Sequence, residues 1–142
     1  MDPRPNPPYL MSDAEGFVDA FAPNQWNTGN GAAFAAVEAS TELGVGSIVF
    51  VVHDRSSRVA EAGYWMSREV RGRGLTPRAL RLMSEWTLRE GGVTRLELLI
   101  EETNMPSRRG GRAFRYSLEG IMRQKIHHRG QQRDVALYAR TR

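Results

Sequence analysis

The chain has 142 residues, of which 40% are hydrophobic, so it can bury one core and its length gives no reason to expect a second domain. It contains no cysteine, which excludes disulfides and thiolate metal sites, and it has no apolar run long enough for a signal peptide or a membrane span. The net charge of +4 and the pI near 10.1 favour a polyanionic partner, either a nucleic acid or a phosphorylated cofactor. We therefore expect a single-domain, soluble cytoplasmic protein.

The first predicted elements are an irregular arm and a short helix. The proline-rich residues 1–11 predict the arm. Ser12 and Glu15 have the spacing of a capping box, which predicts a helix over residues 13–21 that Pro23 should end. The cluster "NTGNG" that follows is typical of a turn.

Three strands are predicted after this turn, over residues 33–39, 45–52 and 59–66. The first is rich in alanine and is also compatible with a helix, whereas "GSIVFVV" in the second is strongly typical of a strand. Because the connectors "TELG" and "HDRSSR" are too short for a crossover helix, we expect an antiparallel meander.

The stretch "VRGRGLTPRAL" (Val70–Leu80) places two glycines and several arginines directly before a predicted helix. Thr76 is the predicted N-cap and Pro77 the first helical residue, and the pair of glycines at 91–92 should end the helix. Apolar residues recur along it with helical spacing, at Ala79, Leu82, Met83 and Trp86.

A glycine-rich turn before a helix is suited to binding a phosphate. Glycine permits positive φ and close approach of the backbone, and the first N–H groups of a helix lack intrahelical partners. Arg71 and Arg73 would add charge-assisted contacts to the same anion. The stretch completes neither a P-loop nor a dinucleotide fingerprint, so the residues alone leave an anion site and a basic surface turn as alternatives.

The rest of the chain predicts a strand, a helix and a hairpin. "VTRLELLI" (Val93–Ile100) is the strand, and because a helix precedes it, we expect it to be parallel to the strand before that helix. Residues 107–116 are predicted to be helical. Residues 120–127 and 135–139 should form the hairpin, with a turn at "HRGQQR".

Four motifs in this order carry a resemblance to a known family. The segment from "AEAGYWM" through "VRGRGLT" resembles the acetyl-CoA-binding core of the GCN5-related N-acetyltransferases (GNAT). "ETNMPSRR", "SLEGIMRQ" and "DVALYAR" are similar, more narrowly, to the ribosomal-protein N-terminal (alanine/serine) acetyltransferase branch. The resemblance covers residues 16–140 and is strongest over 61–120.

The resemblance implies an α+β (mixed α/β) GNAT fold. Its central sheet is mostly antiparallel, contains a splayed parallel pair of strands, and is flanked by helices. The whole chain would form one acetyltransferase domain. The family's first strand and helix are expected to be missing before Met1, which is compatible with a homodimer.

The resemblance also assigns the site. Ser107 would protonate the leaving thiolate. The pantetheine arm would lie along the strand before the glycine turn, and the pyrophosphate would lie in the turn itself. The residues implied to bind acetyl-CoA are Tyr64, Trp65, Met66, Arg71, Gly72, Arg73, Gly74, Leu75, Thr76 and Asn104.

The chain departs from the family pattern in three places. Thr76 replaces a glycine or alanine beside the phosphates. The tyrosine acid of other branches would fall near Gly111, and the branch's proposed carboxylate base falls on Ile126. Glu61 and Glu102 are therefore the candidate bases, each acting through a water molecule.

Other notable residues are interpreted structurally. Independently of the resemblance, Trp65 and Trp86 are typical core residues. His127 and His128 have no third ligand at metal spacing, so no metal is expected. Asp134 is expected in a structural ion pair. The predicted solvated helix face comprises Arg108, Arg109 and Arg112.

The predicted function is transfer of acetyl from acetyl-CoA to a primary amine by direct attack in a ternary complex. Without a strong base, a protein N-terminal α-amine (pKa about 7.7–8.0) is favoured over a lysine (about 10.4) because more of it is neutral at pH 7. Two alternatives stay open. One is an acetyl-CoA-binding regulatory protein with weak catalysis, and the other is a basic nucleic-acid-binding module.

Overall fold

A six-stranded mixed sheet runs through the computed structural model, which describes residues 10–142. Its strands lie in the spatial order β1-β2-β3-β4-β6-β5, and every neighbouring pair is antiparallel except β3 and β4. The strands are β1 (Gly31–Glu38), β2 (Leu43–Asp54), β3 (Val59–Met66), β4 (Arg95–Glu101), β5 (Ser117–His128) and β6 (Gln131–Thr141). The predicted fold class, including the antiparallel meander and the parallel pair, is confirmed.

The N-terminal helix is longer than predicted. Helix α1 (Met11–Gly16), a π-helical segment (Phe17–Phe21) and α2 (Ala22–Thr28) follow one another directly, so the prediction that Pro23 ends the helix is wrong. The N–H of Ala22 reaches the carbonyl of Phe17, and this wider turn relieves the crowding that a proline causes in a regular helix.

The ends of this helix also differ from the prediction. The carboxylate of Asp13 accepts the N–H of Leu10 at 2.8 Å, so Asp13 closes the first turn in place of the predicted Ser12–Glu15 box. At the other end, Gly29 adopts a left-handed φ of 67° and stops the helix. Of the predicted irregular arm, residues 1–9 lie outside the described residues, and Met11 already belongs to α1.

Helix α3 (Leu75–Arg89) carries the chain from β3 to β4 and packs one face on the sheet. Gly74, with φ of 73°, is its N-cap, so the predicted cap at Thr76 is wrong. Pro77 is the third helical residue, where a missing N–H removes no intrahelical bond. The core between α3 and the sheet contains Ile48, Phe50, Leu80, Met83, Leu88, Leu96 and Leu98.

Trp86 lies at the outer edge of this core. It is 36% exposed and meets the edge of Phe34 at 5.4 Å between ring centroids, so the prediction of a core tryptophan is wrong. The predicted helical spacing that includes Trp86 is correct, but this apolar face of α3 extends past the edge of the sheet. Trp65 is also outside the core, with 61% of its surface exposed.

The C-terminal part consists of α4 (Met105–Ala113) and the predicted hairpin of β5 and β6. Both strands are longer than predicted, and the turn narrows to Arg129 and Gly130, whose φ values of 50° and 76° match a two-residue turn with the twist of the strands. None of the helices in residues 10–142 is long and apolar enough to cross a membrane.

Candidate active site

The parallel strands β3 and β4 separate partway along their length. They pair from Val59 to Ala62 on β3 and from Arg95 to Leu98 on β4. Beyond this point β4 stays paired with β6 up to Glu101, whereas residues 63–66 of β3 remain on β2. The backbone edge of Tyr64, Trp65 and Met66 that faces β4 is therefore left without a strand partner.

A cleft of about 720 Å³ opens at this separation. This volume is within the usual range for a small-molecule site. It is bounded by the end of β3, the glycine turn before α3, and the start of α4. The residues that line it are Tyr64, Trp65, Met66, Arg71, Gly72, Gly74, Leu75, Thr76, Pro77, Asn104, Pro106, Ser107, Arg109 and Gly110.

The glycine turn presents backbone N–H groups to this cleft. Gly72 and Gly74 have φ values of 78° and 73°, which side chains other than glycine rarely adopt, and a Cβ at either would meet no atom within 4 Å. The first N–H groups of α3 have no intrahelical acceptor, and Pro77 contributes none. The donors available to an anion are therefore the N–H groups of residues 72–76.

The two arginines of the turn have different orientations. Arg71 lines the cleft, and its Nε donates to the carbonyl of Met66 at 3.2 Å, which fixes the turn to the end of β3. Arg73 pairs with Glu38 on β1 and lines a different groove, between β1 and α3. Of the ten residues predicted to bind the cofactor, Arg73 alone is not among those lining the cleft.

The start of α4 forms the opposite wall. The side-chain oxygen of Asn104 accepts the N–H of Ser107 at 3.3 Å, as an N-cap does. This bond explains the Asn-x-x-Ser spacing physically, and it leaves the Ser107 hydroxyl on the cleft wall and the Asn104 amide nitrogen available to a ligand.

The arginines of α4 do not form one solvated face. Arg108 donates to the hydroxyl of Tyr138 at 3.1 Å and to the carbonyl of Glu102 at 3.1 Å, so it is a structural residue that ties α4 to the sheet. Arg109 lines the cleft. The interpretation as a solvated face is wrong for Arg108, because the sequence does not reveal which side of α4 packs. Arg109 is exposed, at the cleft.

Tyr116 does not offer an acid in place of Ser107 near Gly111, although Tyr64 lines the cleft. Tyr116, the nearest in sequence, is 3% exposed and hydrogen-bonds to Ser84 at 2.7 Å. Since Ser84 donates to the Leu80 carbonyl, Tyr116 is the donor of this bond. Burial raises the pKa of Tyr116 to about 12. The hydroxyl proton of Tyr116 is therefore buried in the core.

Neither predicted base lines the cleft. Glu61 is exposed on the paired part of β3, opposite Glu97 of β4. Glu102 follows β4, and its backbone N–H donates to the carbonyl of Asp134 at 3.0 Å. Within residues 10–142, no carboxylate and no histidine lines the cleft.

One carboxylate that was not predicted from the sequence lies at the end of the splayed strands. Glu101, the last residue of β4, accepts from Nδ1 of His128 at 2.9 Å, with Nε of Arg133 at 3.6 Å. The hydrogen bond from His128, more than its charge, lowers the pKa of Glu101. His128 is therefore a surface residue with a specific partner, with 38% of its side chain exposed. The contact depends on the hairpin folding back on β4, which no local pattern indicates.

Asp134 has a structural role, and its carboxylate contact among residues 10–142 is a hydrogen bond in place of the predicted ion pair. Its carboxylate accepts the N–H of Gln124 at 2.8 Å, where β5 bulges with a φ of 51° at Gln124. No cluster of three potential metal ligands occurs within residues 10–142.

A family model described as "Acetyltransferase (GNAT) domain" matches residues 3–111. The chain belongs to this family. The match covers the whole cleft and confirms both the predicted family and the predicted enzyme class, an acyltransferase. Comparison with curated protein sequences found no match.

Solved GNAT structures share the fold at low identity. The ribosomal-protein-S5-alanine acetyltransferase of Vibrio fischeri is 16% identical with a TM-score of 0.85, over 97% of this chain and 77% of that one. RimL, a ribosomal L7/L12 α-N-protein acetyltransferase in complex with coenzyme A, is 21% identical with a TM-score of 0.81, over 94% and 73%. The microcin C7 self-immunity acetyltransferase MccE, in complex with acetyl-CoA and AMP, is 18% identical with a TM-score of 0.79, over 94% and 72%. These three structures share the GNAT fold of this chain.

Proposed function

We propose that this GNAT protein transfers acetyl from acetyl-CoA to a primary amine, with protein N-terminal α-amines as its preferred acceptors. The observation that carries the proposal is the cleft itself. It brings together nine of the ten predicted cofactor residues and Ser107, from three elements distant in sequence. Structures similar to this chain hold coenzyme A or acetyl-CoA, which supports the choice of cosubstrate.

The cleft suits the parts of acetyl-CoA in order. The free N–H groups of residues 72–76, at the positive end of the α3 dipole, would bind the pyrophosphate, with Arg71 beside them. Arg109 across the cleft would supply a second positive charge. The unpaired edge of Tyr64–Met66 would hydrogen-bond the pantetheine arm as a neighbouring strand would.

The reaction requires three further steps that the chain must assist: stabilisation of the oxyanion, protonation of the departing sulfur and removal of a proton from the amine. Backbone N–H groups at the end of β3 would stabilise the oxyanion as the amine attacks the thioester carbon. The Ser107 hydroxyl would give its proton to the departing sulfur, and Asn104 would hold Ser107 in place through the cap. The C–N bond forms first and gives a tetrahedral oxyanion, whose collapse breaks the C–S bond. The proton lost by the nitrogen leaves to solvent or to a carboxylate through water, and Ser107 regains its proton from solvent.

The absence of a carboxylate from the cleft lining supports the choice of acceptor. An amine must be neutral to attack. An α-amine near pKa 7.7–8.0 is partly neutral at pH 7, whereas a lysine near 10.4 would need a base. Glu61 and Glu102 are retained as proposed bases through water, and Glu101 with His128 is a third, at the open end of the same strands.

The same absence favours a second candidate function, an acetyl-CoA-binding protein without turnover. Release of free coenzyme A over a panel of peptides, free amino acids and polyamines distinguishes the two. Because the chain has no cysteine, a thiol reagent will report only the coenzyme. Amine-dependent thiol release supports the enzyme, and saturable acetyl-CoA binding without release on any amine supports the regulatory protein. A nucleic-acid module would instead show salt-dependent nucleic-acid binding and no acetyl-CoA binding.

A further inference from the structure

The N-terminal helix leaves its apolar side chains uncovered. None of the residues of α1, the π-helical segment or α2 is buried. Met11 is 75% exposed, Val18 63% and Phe21 39%. Helices this short are marginal in water unless an amphipathic face packs, and this one also contains Gly16 and Pro23. The N-terminal part of this helix therefore exposes apolar side chains, whereas its C-terminal end packs on Trp86 through Trp26.

The exposed apolar residues form one stripe on this helix. The exposed Met11, Val18 and Phe21 and the half-buried Ala14 recur at spacings of three and four residues, which places them on one side of a helix. Phe17 stacks on Phe21 with ring centroids 5.4 Å apart and widens the stripe. The charged residues of the segment are all acidic, and they are Asp13, Glu15 and Asp19. We call this surface the helix stripe.

An apolar groove of about 830 Å³ lies between β1 and α3 in the same protomer. Leu82, 61% exposed, and Trp86 form its α3 wall. Arg73 and Arg78 stand at its rim, with Glu38 paired to Arg73. Its apolar lining also includes Phe34, Ala36, Val37, Val45, Ile48 and Leu75.

The groove is not filled by the helix stripe of its own chain. No residue from 10 to 28 lines it. Trp26, near the end of the helix, stacks on Trp86 at the groove edge, with centroids 6.4 Å apart. At about 1.5 Å per residue, Met11 lies about 22 Å further along the helix axis from that contact. The stripe therefore extends up to about 22 Å from the Trp26–Trp86 contact.

We propose that two copies of this chain form a dimer in which the helix stripe of each lies in the groove of the other. Both surfaces are apolar, and the acidic residues around the stripe complement Arg78 at the groove rim, where Arg73 is already paired with Glu38. A two-fold axis makes both contacts at once, so one pairing covers both exposed surfaces of each protomer.

Light scattering coupled to size exclusion tests the assembly. The wild type is expected at twice the 16.0 kDa of the chain. Val18→Asp on the stripe and Leu82→Asp in the groove are each expected to give a monomer with an unchanged circular dichroism spectrum of the sheet. Two controls should stay dimeric. They are Ala20→Asp, on the other side of the same helix, and Leu118→Asp, an exposed apolar residue of β5 outside the groove.

Cross-linking distinguishes exchange from other arrangements. Since the native chain has no cysteine, Val18→Cys protein and mass-tagged Leu82→Cys protein can be mixed and oxidised without background. A disulfide between the two different proteins is the expected product. A wild type that is monomeric at all concentrations would overturn the exchange. So would cross-links between two Val18→Cys chains only, or an intramolecular disulfide in a variant that carries both Val18→Cys and Leu82→Cys.

Discussion

At the scale of single residues, the structure distinguishes two hydroxyl groups, those of Ser107 and Tyr116, as candidates for the general acid. Ser107 is held on the cleft wall by the Asn104 cap, whereas Tyr116 is buried and donates to Ser84. A group acts as an acid only where it reaches the reacting atom, so Ser107 is the proposed donor and Tyr116 a core residue.

Exchanging these hydroxyls for hydrogen should separate catalysis from stability. Ser107→Ala is expected to lower kcat about 100-fold, with little change in acetyl-CoA affinity, because a general acid acts in the transition state. Tyr116→Phe should leave kcat within about twofold and lower the free energy of unfolding by about 1 kcal/mol, through one lost buried hydrogen bond. Steady-state kinetics and urea unfolding measure both. A large loss of kcat in Tyr116→Phe, with kcat unchanged in Ser107→Ala, would show that Tyr116 and not Ser107 is the acid.

At the scale of elements, the β5–β6 hairpin is fixed to the end of β4 by Glu101. Its carboxylate holds His128 and lies beside Arg133, and its pKa is lowered in the folded state, mainly by the His128 hydrogen bond. A carboxylate with a lowered folded pKa stabilises the protein above its unfolded pKa. This contribution is lost as the pH falls through the folded value.

Glu101→Gln should therefore destabilise the protein at pH 6 and have a smaller effect as the pH falls below about 4.3, the ordinary pKa of a glutamate. The midpoint of urea unfolding from pH 6 to pH 3 measures this convergence with the wild type. Glu102→Gln is the control, because Glu102 contacts Asp134 and Arg108 through its backbone. A difference between wild type and Glu101→Gln that is constant across this range contradicts the ion-pair account.

Elements with a local signal were predictable, and contacts between distant elements were not. The strand Val59–Met66 was located to the residue, because alternation and flanking turns specify it. The length of the first helix was not, since a π-turn accommodates Pro23. Within the site, glycines and Asn-x-x-Ser were visible in sequence. The Arg73–Glu38 and Glu101–His128 pairs join residues far apart in the chain and depend on how strands meet.

At the scale of the whole molecule, we propose that the lack of a carboxylate among the described residues lining the cleft limits which amines can react. Peptides with a free α-amine and no lysine should have a kcat/KM at least tenfold above that of N-acetylated peptides with one lysine at pH 7. The gap should narrow toward pH 9 as more of the lysine is neutral. A lysine peptide that reacts faster at pH 7 would indicate a strong base and reject the acceptor preference.

The account rests on acetyl-CoA binding at the glycine turn, and calorimetric titration with acetyl-CoA tests this directly. Gly74→Trp would project a side chain into the cleft. The matched control is Gly29→Trp, which has the same left-handed backbone (φ of 67° against 73°) and open surroundings but lies outside the cleft. Both variants share a strain of about 1–2 kcal/mol, so only the cleft differs. We predict that wild type and Gly29→Trp bind acetyl-CoA equally and that Gly74→Trp binds at least tenfold more weakly; equal binding by all three would contradict the site.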